Sequence, residues 1–149
     1  MSAGRPVPLF VDTGGFYAAY VEDDENHERA DAVFDAIRAG DRYGPVFTSR
    51  YVLAELATVI LYRKSHRRAV STLEEIRSSE TVNVLPVDGT TFDAAHDRFV
   101  QYDDQRIAFF DHLGGALADE YGIEHVFTFD PDDFRTLGFT VVPADTAEA

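Results

Sequence analysis

The sequence predicts a three-layer α/β domain with a short-stranded, mostly parallel central sheet of about five strands. Three observations predict it. Short apolar runs recur at residues 9–11, 46–48, 82–87, 126–129 and 139–142. Stretches with helical spacing of apolar residues separate them, and near-continuous apolar strands are the kind that right-handed crossover helices bury on both faces. The chain has 149 residues, 45% of them hydrophobic, enough for one packed core and too few for two ordinary domains.

Taken in order, the strand at 9–11 follows two prolines and stops at Asp12. Phe16, Tyr17 and Tyr20 begin a first helix. Ala30, Val33, Phe34 and Ile37 form the stripe of a second, with Asn26 placed to cap its start and Gly40 to stop it. After the strand at 46–48, Ser49 can cap the strongly apolar helix through Val52, Leu53, Leu56, Val59, Ile60 and Leu61. A further helix is expected over 67–78. The strand at 82–87 leads to a helix over 90–102, carried by Phe92, Ala95 and Phe99. The next helix begins near Asp111, carries Leu113, Ala116, Leu117 and Tyr121, and stops at Gly122 before the last two strands. No repeat or low-complexity block interrupts the pattern, so residues 1–149 read as a single domain, with loose ends expected at 1–6 and 144–149.

Composition excludes several chemistries. Without cysteine there is no disulfide scaffold, no thiolate nucleophile and no Cys-ligated zinc or iron–sulfur site. No run approaches the 18 apolar residues of a membrane span, and the first residues lack the apolar core of an export signal, so a cytoplasmic protein is expected. Acids outnumber bases 27 to 13, giving a net charge of −14, and Lys64 is the sole lysine. That balance opposes general attraction to nucleic acid. Heavy Asp usage spread along the chain points instead to a halophilic, haloarchaeal-type cytosol.

Most of these carboxylates are expected to be solvated. Four stand apart because their neighbours should be buried. Asp12 and Asp130 end the first and fourth apolar runs, where an open parallel sheet binds ligands. Glu55 is the only acid between Asp41 and Glu74, and Asp111 the only one between Asp104 and Asp119. Singly, each has a structural explanation: Asp12 and Asp111 as helix caps, Asp130 as a turn residue, Glu55 as a helix boundary. Together they would repel one another and raise each other's pKa unless a cation held them ionised. Oxygen donors without Cys or paired His favour a hard ion, Mg²⁺ or Mn²⁺, over Zn²⁺.

The segments Leu9-Phe-Val-Asp12-Thr-Gly-Gly, Ala54-Glu55-Leu, Phe110-Asp111-His-Leu-Gly-Gly and Phe127-Thr-Phe-Asp130-Pro-Asp-Asp resemble the PIN-domain ribonucleases, especially the VapC-type toxins. The resemblance spans residues 8–143 and implies a Mg²⁺-dependent endoribonuclease of a toxin–antitoxin pair. It makes Asp12, Glu55, Asp111 and Asp130 an acidic, metal-binding quartet, with Mn²⁺ able to substitute. Thr13 and Thr128 become polar supports and Asp133 an extra ligand. Gly14 departs from the small hydroxyl residue common there. A cognate antitoxin and a homodimer follow from the resemblance alone, with Phe16, Tyr17, Tyr20 and the helix after Ser49 as either apolar contact surface or core.

His112 follows Asp111 but should point off a different helix face. From Arg50 to Arg68, five bases (Arg50, Arg63, Lys64, Arg67 and Arg68) stand against one acid, Glu55. This is the expected RNA-contacting segment, with pairing to acids or to a helix terminus as the structural alternative. Two other functions compete. One is a PIN fold that binds RNA or protein without cleaving; the other is a receiver-like phosphoacceptor domain, disfavoured because its lysine should lie near the last strand.

Overall fold

The structure is a computed structural model that describes residues 5–146. Five parallel strands form the central sheet in the order β3-β2-β1-β4-β5. They are β1 (Val7–Val11), β2 (Tyr43–Ser49), β3 (Val82–Leu85), β4 (His125–Phe127) and β5 (Thr140–Val142). Between β1 and β2 lie α1 (Thr13–Tyr20) and α2 (His27–Ala39); between β2 and β3, α3 (Arg50–Arg63) and α4 (His66–Ser78). Helices α5 (Gly89–Gln101) and α6 (Phe109–Glu120) precede β4, and α7 (Pro131–Thr136) links β4 to β5. The fold class is the one the sequence predicts.

Strand β1 is central because it is apolar on both faces: Leu9, Phe10 and Val11 are fully buried. Phe10 lies opposite Phe47 of β2 on one side and Val126 of β4 on the other. The chain leaves β1 toward β2 and later returns to β4, so the strand order reverses at β1. A crevice at the carboxyl ends of β1 and β4 is the expected binding position of such a sheet. Phe16 and Ala18 of α1, Val33 of α2, Leu56 and Ile60 of α3, Ile76 of α4 and Leu117 of α6 close the core over the sheet. Ala95, Leu113 and Ala116 make a smaller core between α5 and α6.

The crevice needs α1 to start hard against β4. Gly15 permits this, since a Cβ there would lie 2.8 Å from the Phe127 carbonyl oxygen, closer than two such atoms can pack. Position 14 is different: a Cβ on Gly14 would meet Thr128 Oγ1 at an ordinary 3.5 Å.

Several boundaries move. Ser49 caps α3 through the Val52 N–H as expected, whereas Asn26 sits at the α2 N-cap position without a capping side-chain bond. Ser65 and Asp88 cap α4 and α5 instead, so those helices begin one residue earlier than predicted. Strand β3 stops at Leu85 because Pro86 brings no N–H to the ladder. Strand β4 spans only three residues, although the Thr128 N–H still reaches the Val142 carbonyl. Helix α6 begins at Phe109, two residues before Asp111, and α7 was not predicted. Of the expected loose ends, residues 1–4 and 147–149 lie outside the described residues. Asp145 is held by the Arg135 guanidinium and the Val141 N–H.

Candidate active site

Asp12 is the first residue beyond β1. Its N–H donates to the Phe127 carbonyl at 3.0 Å, which pins it beside β4. Although it occupies the N-cap position of α1, its side chain makes no capping bond. Its carboxylate instead receives the Thr128 hydroxyl at 3.4 Å. The same Thr128 oxygen accepts the Asp130 N–H at 3.2 Å, so one buried threonine links the two acids at adjacent strand ends. Thr13, also buried, donates its hydroxyl to Glu55 Oε1 at 2.5 Å and ties the start of α1 to α3.

Asp111 lies in the first turn of α6, half-buried. Burial pushes its carboxyl up to about 8, helped by the charges of Asp12, Asp133, Asp130 and Glu55 in that order. Asp12 is raised to about 6, again first by burial, with Glu55 and Asp130 adding to the rise and the Thr13 N–H and Thr128 hydroxyl opposing it. The quartet therefore shares one electrostatic neighbourhood, and Asp133, in the first turn of α7, belongs to it. Asp130 is the exposed member, at the N-cap position of α7 before Pro131. Three of the acids stand where helices α1, α6 and α7 begin, and the positive ends of helix dipoles favour anions there.

Among the described residues no three Asp, Glu or His side chains stand as a finished metal cage. Their chemistry nevertheless fits a hard divalent cation: every donor is oxygen, and the burial and neighbouring negative charge that together raise Asp111 are what a bound cation would offset. Holding an ion requires the side chains to turn inward together.

His112 points away from this cluster. It is fully buried against Phe99 and Tyr102, and its Nδ1 has no hydrogen-bond partner. Burial, then Arg98, pushes its pKa down.

Helix α3 separates Arg50 from the other four bases, which lie where α3 ends and α4 begins. Arg50 opens α3 at the carboxyl end of β2, while Arg63 closes it, ~20 Å away along a 14-residue helix. The Arg63 guanidinium lies 5.3 Å from the Tyr17 ring centre, and Lys64 Nζ pairs with Asp23 at 2.7 Å. Arg67 and Arg68 occupy the first turn of α4. The apolar surface considered around α1 is core: Phe16 is fully buried, and Tyr17 and Tyr20 pack against the same cluster.

Residues 9–140 match the PIN domain family. The chain belongs to the PIN-domain family. Within it, the 23S rRNA-specific endonuclease VapC20 of Mycobacterium tuberculosis is 31% identical over 134 residues, covering 90% of this chain and 97% of that protein. The crystal structure of the M. tuberculosis VapC20, described as a sarcin–ricin loop cleaving toxin, superposes with a TM-score of 0.80 at 30% identity, covering 89% of this chain and 96% of that one. VapBC2 from Rickettsia felis, solved on a DNA fragment from its promoter, shares the fold: TM-score 0.69 at 13% identity, covering 91% and 97%. This PIN domain is a homologue of the VapC toxins. No helix among its described residues is long and apolar enough to cross a membrane.

Proposed function

We propose that this PIN domain is a divalent-metal-dependent endoribonuclease, the toxin of a toxin–antitoxin pair. The observation that carries the reading is the placing of Asp12 and Asp130 on one Thr128 side chain at adjacent strand ends, with Asp111 beside them held against ionisation first by burial and then by their charges, an arrangement costly for stability and suited to binding a cation. Asp12, Asp111 and Asp130 would hold Mg²⁺, or Mn²⁺ in its place, with Asp133 supplying a further oxygen directly or through water. When bound, such an ion lowers the pKa of a coordinated water and neutralises charge on the phosphoryl oxygens. Glu55, its Oε1 engaged by Thr13, has Oε2 left to orient the attacking water or take its proton. Thr128 fixes the separation of Asp12 and Asp130.

The likeness to VapC20 makes structured ribosomal RNA the first substrate to try, and VapBC neighbours support an antitoxin as partner. The receiver-like alternative loses its lysine, since Lys64 is paired with Asp23 at the far end of α3. The test is incubation of total RNA with the protein in Mg²⁺, Mn²⁺ or EDTA, beside Asp12→Asn and Asp111→Asn. Cleavage that needs the metal and both carboxylates is expected. Cleavage in EDTA, or by either variant at the wild-type rate, refutes the reading.

A further inference from the structure

Two exposed aromatic rings sit on the rim of the acidic site and touch each other. Tyr51 is the second residue of α3 and Phe110 the second of α6; their ring centres are 6.4 Å apart at an interplanar angle of 64°. Tyr51 precedes Glu55 by one turn, ~6 Å of helix rise, and Phe110 directly precedes Asp111. Neither ring belongs to the core. Phe109 takes the inward position, packing on Phe92 and Phe99 of α5, so the next side chain is turned out toward α3. Tyr51 and Phe110 remain 38% and 45% exposed.

We propose that Tyr51 and Phe110 form a stacking platform for a nucleobase of the RNA, seating the adjoining phosphate over the carboxylates. The proposal rests on the ribonuclease reading above. Proteins read unpaired RNA by stacking splayed bases on aromatic rings, and every base offers such a face. A chain of net charge −14 repels a polyanion at long range. Contacts that work only at short range, and that salt does not screen, are therefore the ones available to it. Arg50 precedes Tyr51, and Arg106 lies four residues before Phe110, in the non-helical segment ahead of α6. Both are exposed, and neither makes an ion pair among the described residues.

The test compares wild type with Tyr51→Leu, Phe110→Leu, Tyr51→Phe and Phe110→Tyr. Both leucine variants keep apolar bulk and lose the ring; the other two keep it. Cleavage of total RNA in Mg²⁺ by wild type establishes the underlying reading, and its absence refutes that reading together with this one. With cleavage established, KM is measured on the RNA fragment that wild type cuts. Each leucine variant should raise KM about tenfold with little change in kcat, while the ring-retaining variants stay near wild type. The loss should persist at high salt, and the thermal shift produced by Mg²⁺ should not change. Unchanged KM in the leucine variants overturns the platform while leaving the nuclease intact. So does an unchanged KM accompanied by altered self-association, which would make the pair a contact between copies of the chain.

Discussion

Replacing Asp111 with Asn should stabilise the metal-free protein while removing its activity. A carboxyl held at about 8 against an ordinary 3.8 resists ionisation in the folded state. Each tenfold change in that equilibrium costs ~1.4 kcal/mol, and because the side chain is half-buried and still meets solvent, about 2–3 kcal/mol is a discounted figure for the penalty. Between 3.8 and about 8 the folded protein keeps a proton that the unfolded chain has released. Stability of the metal-free wild type must therefore fall as pH rises through that window and level off above it. Asn cannot ionise, so the variant escapes the fall. Urea unfolding followed by circular dichroism, in EDTA at constant ionic strength, should find the two proteins within ~1 kcal/mol near pH 5, and Asp111→Asn ahead by about 2–3 kcal/mol near pH 9. Mg²⁺ should reverse the order, since a ligand present at ~1,000 times its Kd adds about 4.1 kcal/mol to the protein that binds it. A variant less stable than wild type in EDTA near pH 9, or a gap that ignores pH, would refute the account of the acidic cluster.

Two further outcomes follow from the geometry. Gly15→Ala should cost about 1–3 kcal/mol in urea unfolding, because the Cβ would meet backbone at the Phe127 carbonyl, which cannot swing aside; unchanged stability would mean α1 does not pack as described. His112→Phe should be no less stable than wild type and should keep metal-dependent cleavage, because the imidazole Nδ1 is buried without a partner and faces α5; loss of cleavage with the fold intact would restore a chemical role for His112.

What could be read beforehand depended on whether a residue's meaning was local. Asp12 and Glu55 were legible because each interrupts an apolar stretch whose burial the pattern predicts. Asp133 was harder to rank beside Asp130, since α7 has six residues, only Phe134 buried, and no periodicity to announce which acid faces Asp111. The basic run divides for the opposite reason. Contiguity in sequence suggested one patch, but a helix intervenes and carries Arg50 and Arg63 to its two ends. Tyr51 and Phe110 could not be recognised at all: an aromatic in an apolar helix reads as core, and only the packing of α3 beside α6 leaves both rings out.

Under the ribonuclease reading proposed above, the same distinction explains how so acidic a chain would approach RNA. Net charge acts over a Debye length, about 8 Å at ordinary ionic strength and about 3 Å at molar salt, so beyond that distance the −14 is largely screened. At contact the charge is not uniform. The carboxylates nearest the strand ends are the ones held against ionisation, Asp111 at about 8 and Asp12 at about 6, so near neutral pH the cluster carries less charge than its acids nominally supply. A divalent cation held by Asp12, Asp111 and Asp130, as proposed, would take the place of the Asp111 proton and leave the cluster still less negative, where a phosphate would have to approach. Metal binding should therefore tighten with rising pH over the range in which the metal-free fold weakens, both being the titration of one carboxyl.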